Sequence, residues 1–146
     1  MTVIACNRTE MAADSLATVD GVRFYNAKKI KRLSNGALLG LAGDSDLCCR
    51  TAIKLNKIAS VRQIVANDLK GRGEVQAVYL CKEGIYRFMI GKYYSIEKID
   101  NEVFADGCGF KLALAAMMCG ASPEEACRVA CELDTACGLP IQVEVL

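Results

Sequence analysis

The sequence predicts a layered α+β domain, in which two antiparallel sheets pack together and helices cover their outer faces. Short apolar segments bounded by turn residues are typical of strands, and they occur near both ends and in the middle of the chain. Stretches with apolar residues at helical spacing separate these groups of strands. The chain has 146 residues and no Pro/Ser-rich linker, so we expect a single domain spanning residues 1–146.

Hairpins account for most of the predicted strands. Asn35-Gly36 is the clearest turn, because both residue types tolerate the backbone of a two-residue hairpin loop. In the first half, strands are predicted at Thr2–Asn7, Glu10–Ser15, Val22–Asn26, Lys29–Leu33 and Ala37–Ala42. In the second half, they are predicted at Glu74–Cys81, Gly84–Ile90, Tyr93–Ile99, Val103–Ala105 and Ile141–Leu146.

Helices are predicted in the middle of the chain and near its end. Asp44 or Ser45 caps the first, and Ser60–Leu69 continues it or forms another. Phe110–Met118 is helical, and Ser122-Pro123 begins a further helix, because a capping side chain precedes Pro at the first helical position. The positions expected on the apolar faces are Leu47, Ile53, Leu55 and Ile58 in the first helix, and Ala126, Val129, Ala130 and Leu133 in the last.

Charge and hydropathy exclude several classes of partner. The net charge is +1 and the basic residues are dispersed, apart from the segment 28–32, so we expect neither nucleic acid nor an anionic membrane as a partner. The longest apolar run, Leu112–Cys119, is far shorter than the roughly 20 residues that span a bilayer. No basic segment precedes an apolar run at the N-terminus, so we expect no secretory signal and a cytoplasmic protein.

The chain has nine cysteines and no histidine, which limits the metal sites and catalytic bases that it can form. Most cysteines lie in apolar runs, so we expect buried free thiols in a reducing compartment, namely at Cys6, Cys81, Cys119, Cys127 and Cys131. The absence of Cys-x-x-Cys pairs and of His argues against a zinc site, and we expect neither a metal nor a cofactor. Without His, a catalytic base has to come from Lys, Asp, Glu or the terminal amine.

Thr2 is the candidate nucleophile. A Met followed by a small residue is the usual context for removal of the initiator Met, which would leave Thr2 with a free α-amine. An N-terminal Thr carries its own base, because that amine can accept the proton of its hydroxyl. Many proteins begin Met-Thr, so this dipeptide alone is weak support for catalysis.

Four motifs follow Thr2 in a characteristic order. They are Met11-Ala12-Ala13-Asp14-Ser15-Leu16-Ala17-Thr18, Ala27-Lys28-Lys29-Ile30, Gly40-Leu41-Ala42-Gly43 and Asp106-Gly107-Cys108-Gly109. Together they resemble the proteasome β-subunit family, most closely the bacterial HslV-type peptidases. The resemblance implies an N-terminal nucleophile hydrolase with a four-layer helix–sheet–sheet–helix sandwich.

The resemblance also implies a role for each matched residue. Thr2 matches the nucleophile, Lys29 the catalytic lysine, and Asp14 the acid that holds that lysine. Gly43 matches the glycine whose backbone N–H forms the oxyanion hole. Two cysteines replace serines of the family: Cys108 in a Gly-Ser-Gly turn, and Cys137 in a later turn that begins at Asp134.

Elementary chemistry is consistent with these roles. A terminal amine has a pKa of about 7.7–8.0, and a nearby lysine cation lowers it, which leaves more neutral amine to act as a base. A purely structural role is the alternative for each residue. Asp14 and Lys29 can form an ordinary ion pair, whereas Gly43, Cys108 and Asp134 can be turn or strand-end residues.

The function expected from the resemblance is a threonine endopeptidase that forms a homo-oligomeric ring and cleaves unfolded polypeptides. Such relatives work with a separate ATPase unfoldase, and this chain has no Walker motif of its own. Two alternatives stay open. One is a non-catalytic assembly protein that keeps the fold and retains Met1, and the other is a small-molecule amidase.

Overall fold

A computed structural model describes residues 2–60, 63 and 73–146. The strands of this part of the chain are β1 (Val3–Cys6), β2 (Glu10–Ala13), β3 (Ala17–Val19), β4 (Val22–Phe24), β5 (Ile30–Arg32), β6 (Leu38–Gly43), β7 (Val75–Cys81), β8 (Gly84–Ile90), β9 (Tyr94–Ile99), β10 (Phe104–Gly107) and β11 (Gln142–Val145). Its helices are α1 (Ser45–Leu55), α2 (Phe110–Met118) and α3 (Pro123–Leu133). The predicted helical segment Ser60–Leu69 lies mostly outside the described residues.

The strands form two main antiparallel sheets. The first sheet has the order β10-β1-β2-β11, and the second sheet has the order β5-β6-β7-β8-β9. A separate ribbon pairs β3 with β4. The N-terminal strand β1 is therefore an interior strand of its sheet, with a partner on each side.

Alternation along β1 shows how the layers stack. Val3 and Ala5 pack with apolar residues of α2 and α3, whereas Ile4 and Cys6 pack against the second sheet. On the far side of the second sheet, Leu47 and other residues of α1 cover the outward-facing side chains. The predicted helix–sheet–sheet–helix sandwich is therefore confirmed.

Gly40 allows the two sheets to approach closely. A Cβ atom at this position of β6 would lie 2.8 Å from Ile4 Cγ2 and 3.0 Å from Met11 Sδ. Such distances are shorter than van der Waals contact, so any larger residue would push the first sheet away from the second. Gly40, which lies inside β6, thus serves close packing between the sheets.

The predicted helix caps are present. Asp44 Oδ1 accepts a hydrogen bond from Leu47 N at 2.8 Å at the start of α1. Ser122 and Glu125 form a reciprocal capping box around Pro123 at the start of α3. In both cases, local sequence chemistry determines where the helix begins.

Several predicted details of these elements are wrong. Ile53 is 60% exposed, because the buried face of α1 is formed by Leu47, Thr51, Ala52 and Leu55. In α3 the buried stripe is centred on Ala126, Cys127 and Ala130, which leaves Val129 and Leu133 exposed. The sequence pattern also missed β3, whose three residues are too few and too exposed to show a period.

The thiols are free, although not all are buried. All nine cysteines lie in the described residues, and none forms a disulfide. Cys6 and Cys127 are buried as predicted, but Cys119 is exposed at the end of α2. In the part of the chain that the structure describes, no helix has the length and apolarity needed to cross a bilayer.

Candidate active site

Thr2 lies at the start of β1 and is held by the turn that follows β10. The Thr2 carbonyl accepts a hydrogen bond from Gly109 N at 3.3 Å. Gly107 has φ +92°, and a Cβ there would lie 2.2 Å from Thr2 O, so only glycine allows this approach. Thr2 is 4% exposed and lines a cavity of about 370 Å³ together with Lys29 and Gly43.

Asp14 follows β2 and is the fixed anion of the site. Its Oδ1 atom accepts hydrogen bonds from Val3 N at 3.0 Å and from Lys29 Nζ at 2.8 Å. Its Oδ2 atom accepts from Leu16 N at 3.2 Å and from Gly138 N at 3.1 Å. A fully buried carboxylate needs such partners, and four donors here fix its orientation.

Lys29 precedes β5, and its side chain is 8% exposed. The ion pair with Asp14 holds the ammonium group at the wall of the same cavity that Thr2 lines. Two motifs 15 residues apart in sequence thus meet as a buried ion pair. The pair is therefore shielded from solvent, unlike most ion pairs on a protein surface.

Gln142 is a site residue that the sequence did not reveal. Its Oε1 atom accepts from Lys29 N at 3.0 Å. The two hydrogens on its Nε2 atom are shared among Asp14 O, Ser15 Oγ and Ala27 O, which lie 3.1, 3.0 and 2.6 Å from that nitrogen. The final strand therefore ties the Asp14 segment to the Lys29 segment. No local motif marks a lone Gln in a short terminal strand, so only the tertiary pairing of β11 with β2 exposes this role.

Cys108 lies beside the backbone of Thr2. Its Sγ atom accepts from Thr2 N at 3.1 Å and lies 3.2 Å from Thr2 O, to which the thiol can donate. Cys137 Sγ is 3.8 Å from Cys108 Sγ. The Asp134 carboxylate belongs to the same group, because one of its oxygens and both sulfurs lie within 4.8 Å of one another.

The hydrogen bond between the two thiols shifts their pKa values in opposite directions. The hydrogen bond from Cys137 lowers the pKa of Cys108 to about 6, despite the opposing effect of burial. The same hydrogen bond raises the pKa of Cys137, because that thiol supplies the proton. Cys108 is the more exposed of the two and also accepts the Thr2 N–H, which favours placing the negative charge there.

Gly43 ends β6 on the other side of the cavity. It has φ +124°, and a Cβ there would lie 2.1 Å from Glu74 O, so the position admits only glycine. Gly43 also lines a smaller cavity of about 170 Å³ with Thr2, Gly107 and Cys108. The backbone at Gly43 and the turn at Cys108 thus face a shared space next to Thr2.

An ion pair between the sheets supports the Cys108 turn. Arg87 Nε on β8 donates to Asp106 Oδ2 on β10 at 2.7 Å, and Asp106 is 5% exposed. Asp106 Oδ1 also accepts from Gly107 N at 2.9 Å. Asp106 is therefore more than a turn residue, although its partner on a distant strand could not be inferred from the sequence.

The predicted site residues thus gather at one end of the sandwich. Thr2, Lys29 and Gly43 line one cavity, Asp14 holds Lys29, and Cys108 contacts Thr2. Asp134 lies with the two thiols. Their roles in a reaction stay predictions.

Solved structures of the HslV and proteasome-like type share this layering. HslV from Trypanosoma brucei superposes with a TM-score of 0.76 at 19% identity, over 100% of this chain and 99% of that one. The BPH protein of Thiobacillus denitrificans in complex with epoxomicin gives a TM-score of 0.73 at 18% identity, over 99% and 97% of the two chains.

Sequence comparison adds nothing to this structural likeness. No protein-family model matches the chain, and no curated protein matches its sequence. At identities of 19% and 18%, the two superpositions show a common fold and leave the activity to be argued from the site.

Proposed function

We propose that this protein is a threonine endopeptidase that hydrolyses unfolded polypeptides through Thr2, once removal of Met1 has freed the amine of Thr2. The observation that carries the proposal is the buried Lys29–Asp14 pair on the wall of the cavity that Thr2 lines. A buried cation held next to an N-terminal hydroxyl and amine is suited to activating a nucleophile.

The proposed reaction proceeds through an ester. The Thr2 amine accepts the hydroxyl proton as Oγ1 attacks the carbonyl carbon of the scissile peptide bond, and the same proton then passes to the leaving amine. Lys29 favours the neutral, basic form of the terminal amine, because its positive charge disfavours a second cation nearby. Water activated by the Thr2 amine then hydrolyses the ester and restores the free hydroxyl.

Backbone donors near Gly43 are proposed to stabilise the tetrahedral intermediate. The constrained backbone at Gly43 supports this assignment, because a rigid donor needs no reorganisation as the oxyanion forms. One such donor is typically worth about 2.7–4 kcal/mol in the transition state.

We further propose that the chain assembles into a homo-oligomeric ring. Its helices α2 and α3 carry large apolar side chains that a single copy leaves exposed: Met118 at 76%, Leu133 at 68% and Phe110 at 38%. Burying such side chains between copies would stabilise an assembly. The HslV-type resemblance adds a separate ATPase unfoldase as a partner, which would deliver unfolded chains to the cavity.

The nine free thiols support a reducing compartment, which we propose is the cytoplasm. Three apolar clusters fill the layers of this sandwich, and we propose that residues 1–146 act as one domain.

The deciding experiment combines intact mass with peptide hydrolysis. We expect an active preparation to lack Met1, Thr2→Ala to lose essentially all hydrolysis, and Thr2→Ser to retain part of it. Thr9→Ala is the matched control, because Thr9 is exposed at the opposite end of β1, and it should keep full activity. Epoxomicin, which the Thiobacillus denitrificans structure contains, should inhibit the wild type.

Other outcomes would favour the alternatives. Full retention of Met1 in an inactive ring would indicate the non-catalytic assembly protein. Hydrolysis of small amides without cleavage of any peptide would indicate the amidase. Peptide hydrolysis by a chain that fully retains Met1 would contradict the Thr2 mechanism itself.

A further inference from the structure

We propose that Cys108, Cys137 and Asp134 form a binding site for a soft divalent cation, Zn²⁺ above all, and that the bound ion inhibits the nucleophile. The binding part of this proposal depends only on the geometry of the three side chains. The inhibitory part rests on the proposed function of Thr2.

The spacing of the two sulfurs suits tetrahedral zinc. Zinc–thiolate bonds are about 2.3 Å long, so two sulfurs on one tetrahedral ion lie about 3.8 Å apart. Cys108 Sγ and Cys137 Sγ are 3.8 Å apart. A carboxylate oxygen of Asp134 lies within 4.8 Å of both sulfurs, which makes it the candidate third ligand.

The donor set selects the metal. Two thiolates are soft ligands, which favour Zn²⁺ over Mg²⁺ or Ca²⁺, and zinc also accepts a carboxylate oxygen as a ligand. Both thiols give up their protons to solvent when the ion binds, since the thiolate is the ligand. Two thiolates and a carboxylate then offset the charge of the ion.

The two segments that carry the ligands are fixed against each other. A Cβ at Gly109 would lie 2.9 Å from Cys137 Sγ, so the turn after β10 packs directly on the turn after α3. Within that second turn, Asp134 O accepts from Cys137 N at 3.1 Å, and Asp134 Oδ1 accepts from Ala136 N at 2.8 Å. Cys108 is exposed, which gives the ion a route from the solvent.

The fourth ligand connects the ion to the reaction. Thr2 N lies 3.1 Å from Cys108 Sγ, close to the separation of about 3.5 Å that neighbouring nitrogen and sulfur ligands have on tetrahedral zinc. After removal of Met1 this nitrogen is an amine with a lone pair. An amine that binds zinc cannot accept the Thr2 hydroxyl proton, so an occupied site cannot activate the nucleophile.

No local sequence motif marks this proposed site. Cys108 and Cys137 are 29 residues apart and lie in different turns, whereas zinc motifs are recognised from closely spaced Cys or His pairs. The expectation of no metal site rested on those local patterns. The fold brings the ligands together by packing α2 and α3 on the first sheet.

Direct metal binding tests the site without reference to activity. The reduced, chelator-treated ring is titrated with Zn²⁺ by equilibrium dialysis and with Cd²⁺ by thiolate charge-transfer absorption. We expect one ion per chain, with binding lost in Cys108→Ser and in Cys137→Ser and about tenfold weaker in Asp134→Asn. Cys119→Ser, which alters an exposed thiol at the end of α2, should bind like the wild type. Absence of binding at micromolar metal, or equal binding by the Cys137→Ser variant, would overturn the site.

Inhibition is tested on the same proteins. Zn²⁺ should abolish peptide hydrolysis by the wild type, and a chelator should restore it, whereas Cys137→Ser should keep at least half of its own metal-free rate. Zinc that occupies the site without slowing an active wild type would overturn the inhibitory part. If metal-free wild type hydrolyses no peptide at all, the proposed function fails, and the dialysis result still decides the metal site.

Discussion

Lys29 Nζ lies 2.8 Å from Asp14 Oδ1, and the two side chains are 8% and 0% exposed. Burying opposite charges costs desolvation free energy, which is offset only when each charge has partners. Three backbone N–H groups supply the remaining partners of Asp14. Such a pair adds little to stability compared with apolar packing, and its proposed role is to hold a cation at the cavity that Thr2 lines.

Asp14→Asn should damage both stability and activity. The substitution leaves the Lys29 cation buried without its counter-ion, and it turns amide hydrogens toward backbone donors. We expect the free energy of unfolding to fall by about 3–5 kcal/mol and kcat to fall at least about 100-fold. Chemical denaturation and peptide hydrolysis measure the two effects.

Asp46→Asn is the control for this change, because Asp46 forms an exposed ion pair with Arg50 within α1. Its effect on unfolding should stay below about 0.5 kcal/mol. Equal losses in the Asp14 and Asp46 variants would mean that the buried pair has no special role.

Gly43→Ala should unfold or distort the side of the cavity that Gly43 lines. Its Cβ would meet Glu74 O at 2.1 Å, and its backbone lies in the left-handed region that favours glycine. Gly36→Ala is a matched control: Gly36 has φ +86°, yet a Cβ added there would meet nothing within 4 Å, so the substitution carries only the backbone cost of about 1–2 kcal/mol. Denaturation curves that coincide for the two variants would show that the Glu74 contact is unimportant.

Cys108→Ser should keep or raise the rate of peptide hydrolysis in chelator-treated protein. A serine hydroxyl is smaller than a thiol and a better hydrogen-bond donor, and it can make the same contacts with Thr2. Alkylation of the wild type should slow hydrolysis, because the added group crowds the cavity next to Thr2, and the serine variant should be protected from that loss. A Cys108→Ser variant with unchanged activity, in a protein whose wild type is insensitive to alkylation, would make Cys108 a packing residue.

Stability should fall at alkaline pH because of buried thiols such as Cys6. Burial raises the pKa of Cys6 to about 12, whereas an unfolded thiol titrates near about 8.5. Its contribution is fully present below about pH 8.5 and is lost as the pH rises toward 12, because only the unfolded chain loses that proton. Between pH 7 and 10, the stability advantage of the wild type over Cys6→Ala should shrink by about 2 kcal/mol, as followed by denaturation. Parallel pH curves for the two proteins would contradict this.

The sequence was informative wherever local chemistry decides the structure. Asp44 and Ser122 mark helix starts because their side chains bind nearby backbone N–H groups. The four ordered motifs also predicted which residues gather at one end of the sandwich. Helix faces were harder, because Ile53 and Leu133 are apolar residues that the fold leaves exposed.

Long-range partners could not be predicted. Arg87 and Asp106 pair across two sheets, and Gln142 reaches back to Asp14 and Ala27 from the far end of the chain. Nothing in the residues around them marks these contacts, since each depends on strand pairing between distant segments. The proximity of Cys108 to Cys137 depends on the same kind of pairing.

The pairing of the first sheet also controls when the proposed active site can exist. β1 pairs with β10 through Val3 and Gly107, and β2 pairs with β11 through Ala13 and Gln142. Thr2 and Asp14 are therefore held in place by strands that lie more than 100 residues further along the chain. Contacts between such distant segments are slow to form, so the proposed site is completed late in folding. The proposed activity thus depends on strand pairing between distant segments of the chain as well as on Thr2 itself.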